Sequence, residues 1–473
     1  MSISTFFGMD MALRALQAQQ MGIDVTNHNV SNANTDGYSR QNVKITTTEP
    51  FAMPGMNRPS IAGQLGTGAI ASDIQRARDM FLDAQYRTEV GGQKNGQARL
   101  DALEQVEVVL DEPQGVGLNS LFNDFNRVWS ELANDPSDLP VRTTVVQQSL
   151  SLTGAINRID GQLKTIRTGL DGEISTDVAE VNDITAQILQ INSSVVQIEL
   201  TGQTANDFRD RRDSLVDRLS ELVNVTVNEN ADGSMNVLMG AQVLVNGTAG
   251  KTDLVAVPNA GNNNFVDITY GAGGPAATLG TAEISGKLTA RDTNVPSYQA
   301  KLNTMTSNLI SAVNTLHTAG FDLDGNAGVA FFSGTDASNI SVSAALQADP
   351  KLIAASGVAG ATGNNETILK ITALKTSMSP PLASGTPTTE SAYNSLVAGL
   401  GIDTRTASNE VDTQSALVSL LDRRRQSLSG VSLDEEAVNL LRYQRAYEAA
   451  ARVLTTYDQM LDKLINGTGI VGR

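Results

Sequence analysis

The sequence predicts a multidomain α+β protein, rod-like, whose N- and C-terminal helices pair as a coiled coil. A long-helix bundle lies between them, and a mainly-β region is inserted into it. Three observations carry this. Amphipathic helices with seven-residue apolar spacing sit at opposite ends of a 473-residue chain. The 4-3 apolar spacing reappears in the centre and is sustained from Leu152 to Ile198. Alternating β-branched residues are concentrated between Val225 and about Ser285.

Composition narrows the function classes. A chain this long exceeds one small core, so two or three domains are expected. With 34 Lys plus Arg against 51 Asp plus Glu the net charge is −17, which disfavours nucleic acid or an anionic membrane as partner. Aromatic residues are 4%, Cys is absent and His28 and His317 are the only imidazoles. Disulfide and thiolate chemistry are thereby excluded. No apolar run approaches the ~20 residues of a membrane span, and MSISTFFGMDMALR shows no Sec-type signal pattern.

The N-terminal helix carries Met9, Leu13, Leu16, Gln20, Ile23, Asn27 and Val30 at 4-3 spacing. That places them on one stripe, the seam of a coiled coil. Gln20 and Asn27 interrupt it, and polar seam residues fix register and partner at a cost in stability. The helix is expected to run ~35 Å at 1.5 Å per residue and to stop before the turn from Asn32 through Asn34 to Gly37. Gln41 to Thr47 alternates as a strand. Pro50 to Gly68 reads as an extended connector. Asp73 to Leu110 reads as helix, with a break at Asn95-Gly96 and a stop at Asp111-Glu112-Pro113.

Leu118 to Ala133 is the next helix. Val141 to Thr201 follows, with a slip in spacing at Gly169 and Gly172. Unbroken, it would reach ~90 Å. Asn206 to Val223 is a charged helix. Strands are expected around the Asp232-Gly233 hairpin signal, then at Leu254–Val257, Phe265–Tyr270 and Ala276–Leu279. Pro296 to Ala319 is helical, Val329 to Phe332 extended, and Ser341 to Leu352 mixed. Glu366 to Ser377 is helical, and so is Ser391 to Ser427, with a break near Asp403-Thr404.

The last helix has the clearest signals. Ser432 and Glu435 match a capping box. Leu440, Tyr443, Tyr447, Ala450, Leu454, Tyr457, Leu461 and Leu464 form an unbroken apolar stripe, and Gly467 is placed as a C-cap.

Catalytic patterns are missing. There is no HExxH, CxxC, GxSxG or GxxxxGK[ST], so no enzyme activity and no cofactor are expected. His28 reads as a surface or interface residue, because zinc ligands to accompany it are scarce. Asp322 to Asn326 fails the calcium-loop spacing, since Ala327 stands where Gly is required; it reads as a plain turn. Gly271 to Gly274 reads as a loop. Asp210 and Asp213, beside Arg209, Arg211 and Arg212, read as a solvated ion-pair face.

With chemistry set aside, the terminal stripes are the strongest functional signal. Around them the residues resemble the axial proteins of the bacterial flagellum. The match runs through Asp24-Val25-Thr26, Asn29 to Thr35 and Gly37-Tyr38-Ser39-Arg40-Gln41. It continues at Leu132 to Asp138, Asn206 to Asp213, Gly286 to Asp292 and Gly320 to Phe332. It closes with Glu435-Glu436, Tyr443-Gln444, Ala446-Tyr447 and Ala450-Ala451. The ending Gly-Tyr-Ser-Arg-Gln is similar to the hook-associated branch that joins hook to filament; hook and distal-rod proteins usually carry Gly-Phe-Lys there.

The resemblance implies a structural role in a homo-oligomeric ring, with hook protein on one side and a second hook-associated junction protein on the other. It implies an export chaperone on the C-terminal helix and secretion through the flagellar type III apparatus. It divides the chain into an inner coiled-coil domain (1–50 plus 431–473), a middle long-helix domain (51–224 plus 286–430) and an outer β-domain (225–285). The two stripes, with Asn32, Asn34, Gly37, Tyr38 and Arg40, become the assembly interface. The ends are expected to be disordered in the isolated chain and helical once assembled. A hook or distal-rod protein, or a secreted effector or adhesin using the same route, are the alternative readings.

Overall fold

The computed structural model describes residues 6–50, 65–110 and 117–467. Most of the expected connector and the stop at Asp111–Pro113 lie outside the described residues. The chain divides into two compact units. One comprises Met1–Val90, Val181–Asp253 and Ala416–Arg473; the other comprises Gly91–Glu180 and Leu254–Ser415.

The first unit opens with α1 (Phe7–Ser31), then β1 (Gln41–Thr47) and β2 (Ala69–Arg76). These strands pair antiparallel, Gln41 opposite Arg76 and Val43 opposite Ile74, with a bulge between Lys44 and Ile45. Asp73 to Arg76 is therefore strand rather than helix, because Ile74 and its neighbours find a partner strand; the helix begins at Met80. The start of α2 (Met80–Leu110), the end of α4 (Leu139–Glu199) and α5 (Asn206–Leu222) follow. A four-stranded antiparallel meander comes next, from β3 (Thr226–Glu229), β4 (Met235–Met239), β5 (Gln242–Asn246) and β6 (Gly250–Lys251). Its hairpin forms at Asp232-Gly233, where Gly233 takes φ +81° and Asp232 accepts the Ser234 amide and hydroxyl. Asn192 of α4 ties the meander down, donating to Met235 O and Gly247 O at 2.8 Å each.

The end of α10 (Thr389–Ser429) and α11 (Leu433–Gly467) complete this unit. α11 packs along α1 within the one chain. Both ends are helical and paired within the single chain. Each supplies the surface on which the other is buried.

The second unit holds the remainder of α2, α4 and α10, together with α3 (Leu118–Leu132). It also holds the antiparallel pair β7 (Leu254–Pro258) and β8 (Val266–Tyr270). The Ala276–Leu279 segment contributes one isolated bridge, Thr269 to Ala276. The 225–285 region therefore contains two separate sheets. After it, α6 (Glu283–Thr289) passes through a π turn at Ala290–Asn294 into α7 (Val295–Thr318). Short pieces follow: β9 (Phe332–Ser333), β10 (Ser341–Val342), α8 (Ala344–Ala348) and α9 (Glu366–Ala373). A large apolar cluster lies in this unit, with Phe125 against Trp129 and Phe332, and Phe331 against Trp129 and Phe332.

Several expected breaks are absent, each for a visible reason. Gly96 is a packing position: a Cβ there would lie 3.1 Å from Val411 Cγ2, so its small size lets α10 approach α2. Gly169 and Gly172 face open space, while Leu163, Leu170, Ile174 and Val178 stay buried and carry α4 through. Asp403 accepts the Tyr298 hydroxyl between buried Leu400 and Ala407, so α10 also continues.

Candidate functional site

The predicted stripe on α1 and the buried face of α1 are neighbouring lines. The residues buried on α1 are Gly8, Ala12, Ala18, Gly22, Val25, Thr26 and Asn29. Leu13 and Val30 are 48% and 44% exposed, Gln20 and Asn27 are exposed, and Met9, Leu16 and Ile23 are half-buried. The line of Gly8, Ala12, Gly22, Thr26 and Asn29 runs one residue before the predicted one. On α11, Leu440, Tyr443, Ala450, Leu454, Tyr457 and Leu461 are half-buried, whereas Tyr447 and Leu464 are exposed. The rings of Tyr457 and Tyr443 lie over Gly8 and Gly22.

At the far end of this pair Asn29 is the polar seam residue. It is 1% exposed and fills its full hydrogen-bonding capacity. Its Nδ2 donates to Gln41 O at 2.9 Å and Glu436 Oε2 at 3.1 Å. Its Oδ1 accepts the Gln41 amide at 2.9 Å and the Tyr38 hydroxyl at 2.7 Å. Burial, then the charges of Asp207, Asp210 and Glu436, push the Tyr38 phenol well above its ordinary value. It therefore stays protonated as a donor.

The turn is closed around these bonds. Asn32 Nδ2 donates to His28 O at 3.0 Å, and Asn32 Oδ1 accepts the Thr35 hydroxyl at 3.2 Å. Gly37 has φ +78°, which favours glycine, and a Cβ there would press on Ser214 Cβ at 3.3 Å. Asn34 is exposed. His28 Nδ1 meets the Tyr38 hydroxyl at 3.0 Å, and its Nε2 lies 3.6 Å from Asp207.

Arg40 joins the turn to α11. Its Nε donates to Glu436 Oε1 at 2.8 Å and its Nη1 to Glu435 Oε2 at 2.7 Å. Its amide donates to Ser429 O at 2.8 Å. Glu436 is 1% exposed and is held by Arg40 and Asn29 together, as a buried carboxylate must be. At the start of α11 the Ser432 hydroxyl accepts the Glu435 amide at 3.5 Å, while the Glu435 side chain is engaged by Arg40.

Asp210 and Asp213 correct the reading of a solvated face: both are buried. Asp210 accepts the Ser39 amide at 2.9 Å and hydroxyl at 2.7 Å. Arg76 Nη1 spans Asp210 at 2.8 Å and Asp213 at 2.7 Å. Arg78 and Arg87 also face Asp213, at 3.1 and 3.6 Å. Burial would raise the Asp213 carboxyl, but Arg78, Arg76 and Arg87 together hold it below the ordinary range. The arginines that bury these aspartates come from β2, α2 and the link between them, which the local charge pattern of α5 does not reveal.

Sequence reasoning left Asn29, Ser39, Gln41, Asp210 and Glu436 out of the interface. The heptad relation of Asn29 to Gly22 and Gly8, matched by Glu436, Tyr443 and Tyr457, is the signal for Asn29 and Glu436; Ser39, Gln41 and Asp210 are brought in by tertiary contacts. Among the described residues, no group of three His, Cys, Asp or Glu side chains is placed to hold a metal ion. No described helix is long and apolar enough to cross a membrane. The arrangement is a latch between chain ends, built from hydrogen bonds and close helix packing.

Comparison with known proteins finds matches at both ends and through the centre of the chain. Residues 103–332 match the flagellar hook-associated protein FlgK helical domain. Residues 9–38 match the flagella basal body rod protein family, and residues 425–467 the flagellar basal body rod FlgEFG protein C-terminal family. Flagellar hook-associated protein 1 of Bacillus subtilis is 32% identical, covering 99% of this chain and 100% of that protein. The Salmonella typhimurium protein of the same name is 25% identical, covering 96% and 98%. The solved flagellar hook junction protein FlgK from Burkholderia pseudomallei is 15% identical. It has a TM-score of 0.62 and covers 73% of this chain and 100% of that one, a likeness of fold.

Proposed function

Because the chain belongs to the flagellar hook-associated protein 1 family, we propose that its paired ends are the assembly core of a ring that joins hook to filament. The chain is a structural component of the flagellum. Its task is interface geometry, with no chemical step. The observation that carries the reading is the outward line on α1. Leu13 and Val30 are exposed beside half-buried Met9, Leu16 and Ile23, although α1 already has an intrachain partner. An apolar line left open on a paired helix suits a neighbouring subunit.

In this reading residues 1–50 and 431–473 form the inner coiled-coil domain. Residues 51–224 and 286–430 form the middle helical domain, and residues 225–285 face outward as the β-domain. Hook protein binds one side of the ring and a second hook-associated junction protein the other. Secretion through the flagellar export route precedes assembly, and a chaperone covers the C-terminal helix until then.

Leu13→Asp, Leu16→Asp and Leu454→Asp test this. Each is expected to abolish incorporation into flagella while the unfolding transition seen by Trp129, in the other unit, is unchanged. Normal filaments in all three strains would refute the inner-core role.

A further inference from the structure

Three contacts set α1 against α11. A Cβ on Gly8 would lie 2.2 Å from Tyr457 Cζ, and a Cβ on Gly22 would lie 2.7 Å from Tyr443 Cδ1. The third is the Asn29–Glu436 hydrogen bond at 3.1 Å. Positions rise along α1 as their partners fall along α11, so the helices are antiparallel. Gly8 and Gly22 are two heptads apart, and so are Tyr443 and Tyr457. Asn29 and Glu436 lie one heptad further along their helices. The same register sets Ala15 opposite Ala450, midway between the two rings.

The line on α1 therefore reads Gly, Ala, Gly, Asn, against Tyr, Ala, Tyr, Glu on α11. We propose that this pairing is the register code of the chain ends. Gly8 and Gly22 are the notches that the Tyr457 and Tyr443 rings fill, and Asn29–Glu436 fixes the phase. An apolar stripe that repeats every heptad tolerates a slip by one heptad; this line does not. Such a slip places Ala15 beneath a tyrosine ring and separates buried Asn29 from Glu436, leaving both without the partner each requires.

The glycines have no merit of their own in a helix. Gly22 weakens α1 relative to Ala, which the ring seated on it explains. A C-terminal helix with the same heptads but without these tyrosines would leave both notches empty. The code thus selects the chain's own end, or that of a second copy. Its consequence for assembly rests on the junction reading above, whereas the register itself does not.

The absence of Cys makes the test direct. Full-length chain carrying Ala15→Cys and Ala450→Cys is treated with a short bis-maleimide, and the intrachain cross-link is mapped by peptide mass. The parent is expected to cross-link efficiently. Gly22→Ala should lower the equilibrium constant for the in-register pairing about ten-fold through overpacking, and the cross-link yield with it, although it raises helix propensity. Adding Tyr443→Ala should restore it, by recreating the Ala–Ala pairing of the midpoint. Tyr443→Phe should keep the parent yield, and Gln17→Ala, an exposed position on the same helix, should leave it unchanged.

Full yield in Gly22→Ala, or no recovery in the double variant, would overturn the proposal. Trp129 fluorescence confirms that the other unit remains folded in each variant. Localisation of the tagged parent in flagella reads the assembly role separately. A chain that cross-links in register yet is missing from the junction would sink that role and leave the register code standing.

Discussion

Asn29 and His317 show how single side chains hold this molecule together. Asn29 closes four hydrogen bonds at once, two of them to the Gln41 backbone. Asn29→Ala leaves the Gln41 amide and part of the Glu436 carboxylate unsatisfied inside the protein. A loss of about 2–3 kcal/mol is expected, with the Gln41 amide exchanging hydrogen faster than in the parent; unchanged protection there would contradict the latch. His317 is fully buried. Its Nε2 accepts the Ala354 amide at 2.8 Å, so its Nδ1 carries the proton and donates to Val329 O. Burial first, then Arg142, lowers its pKa to about 4, against the bond to Val329. The folded protein therefore takes up the proton later than the unfolded chain does as pH falls. The stabilising contribution is complete above the unfolded value near 6.5 and is lost progressively as pH falls from there towards 4. It amounts to roughly 3 kcal/mol over that window. Urea unfolding followed by Trp129 should show this slope between pH 7 and 4.5, and His317→Gln should flatten it.

At the scale of elements, a charged crossing joins β2, α2 and α5. Asp213 faces three guanidiniums at 2.7 to 3.6 Å. Asp213→Asn keeps the shape but leaves Arg76, Arg78 and Arg87 underpaired in a buried setting. A loss of about 3–5 kcal/mol follows, visible as a lowered unfolding midpoint by circular dichroism; a neutral result would return the network to a solvated surface. What the sequence made legible here follows from physics that acts locally. The α11 start was readable because Ser432 and Glu435 occupy capping positions, and the α7 and α9 helices because their apolar spacing is undisturbed. The α1 seam was displaced by one residue because hydrophobic spacing registers large side chains, and this seam is built from Gly8, Ala12 and Gly22. The same blindness turned Gly96 into a break, when its size is what brings α10 close. The burial of Asp210 and Asp213 was hidden for another reason. Arg76 and Arg78 lie over 100 residues earlier in the chain, and only tertiary structure brings them together.

For the whole molecule, the chain carries its own partner for each end and still leaves an apolar line open on α1. In the proposed assembly, intrachain pairing prepares this surface and a neighbouring subunit covers it. Family membership places such a surface in the flagellum, and the Gly37-Tyr38-Ser39-Arg40-Gln41 turn, bonded to α5 and α11, is what holds it in position. A ring at one boundary and a tube along the hook demand different numbers and locations of subunits, so position separates them. The decisive measurement is immunogold labelling of an epitope-tagged, functional copy on intact flagella. The account predicts a narrow band of label at the hook–filament boundary. Label distributed along the whole hook, or at the cell surface in the absence of flagella, would contradict it.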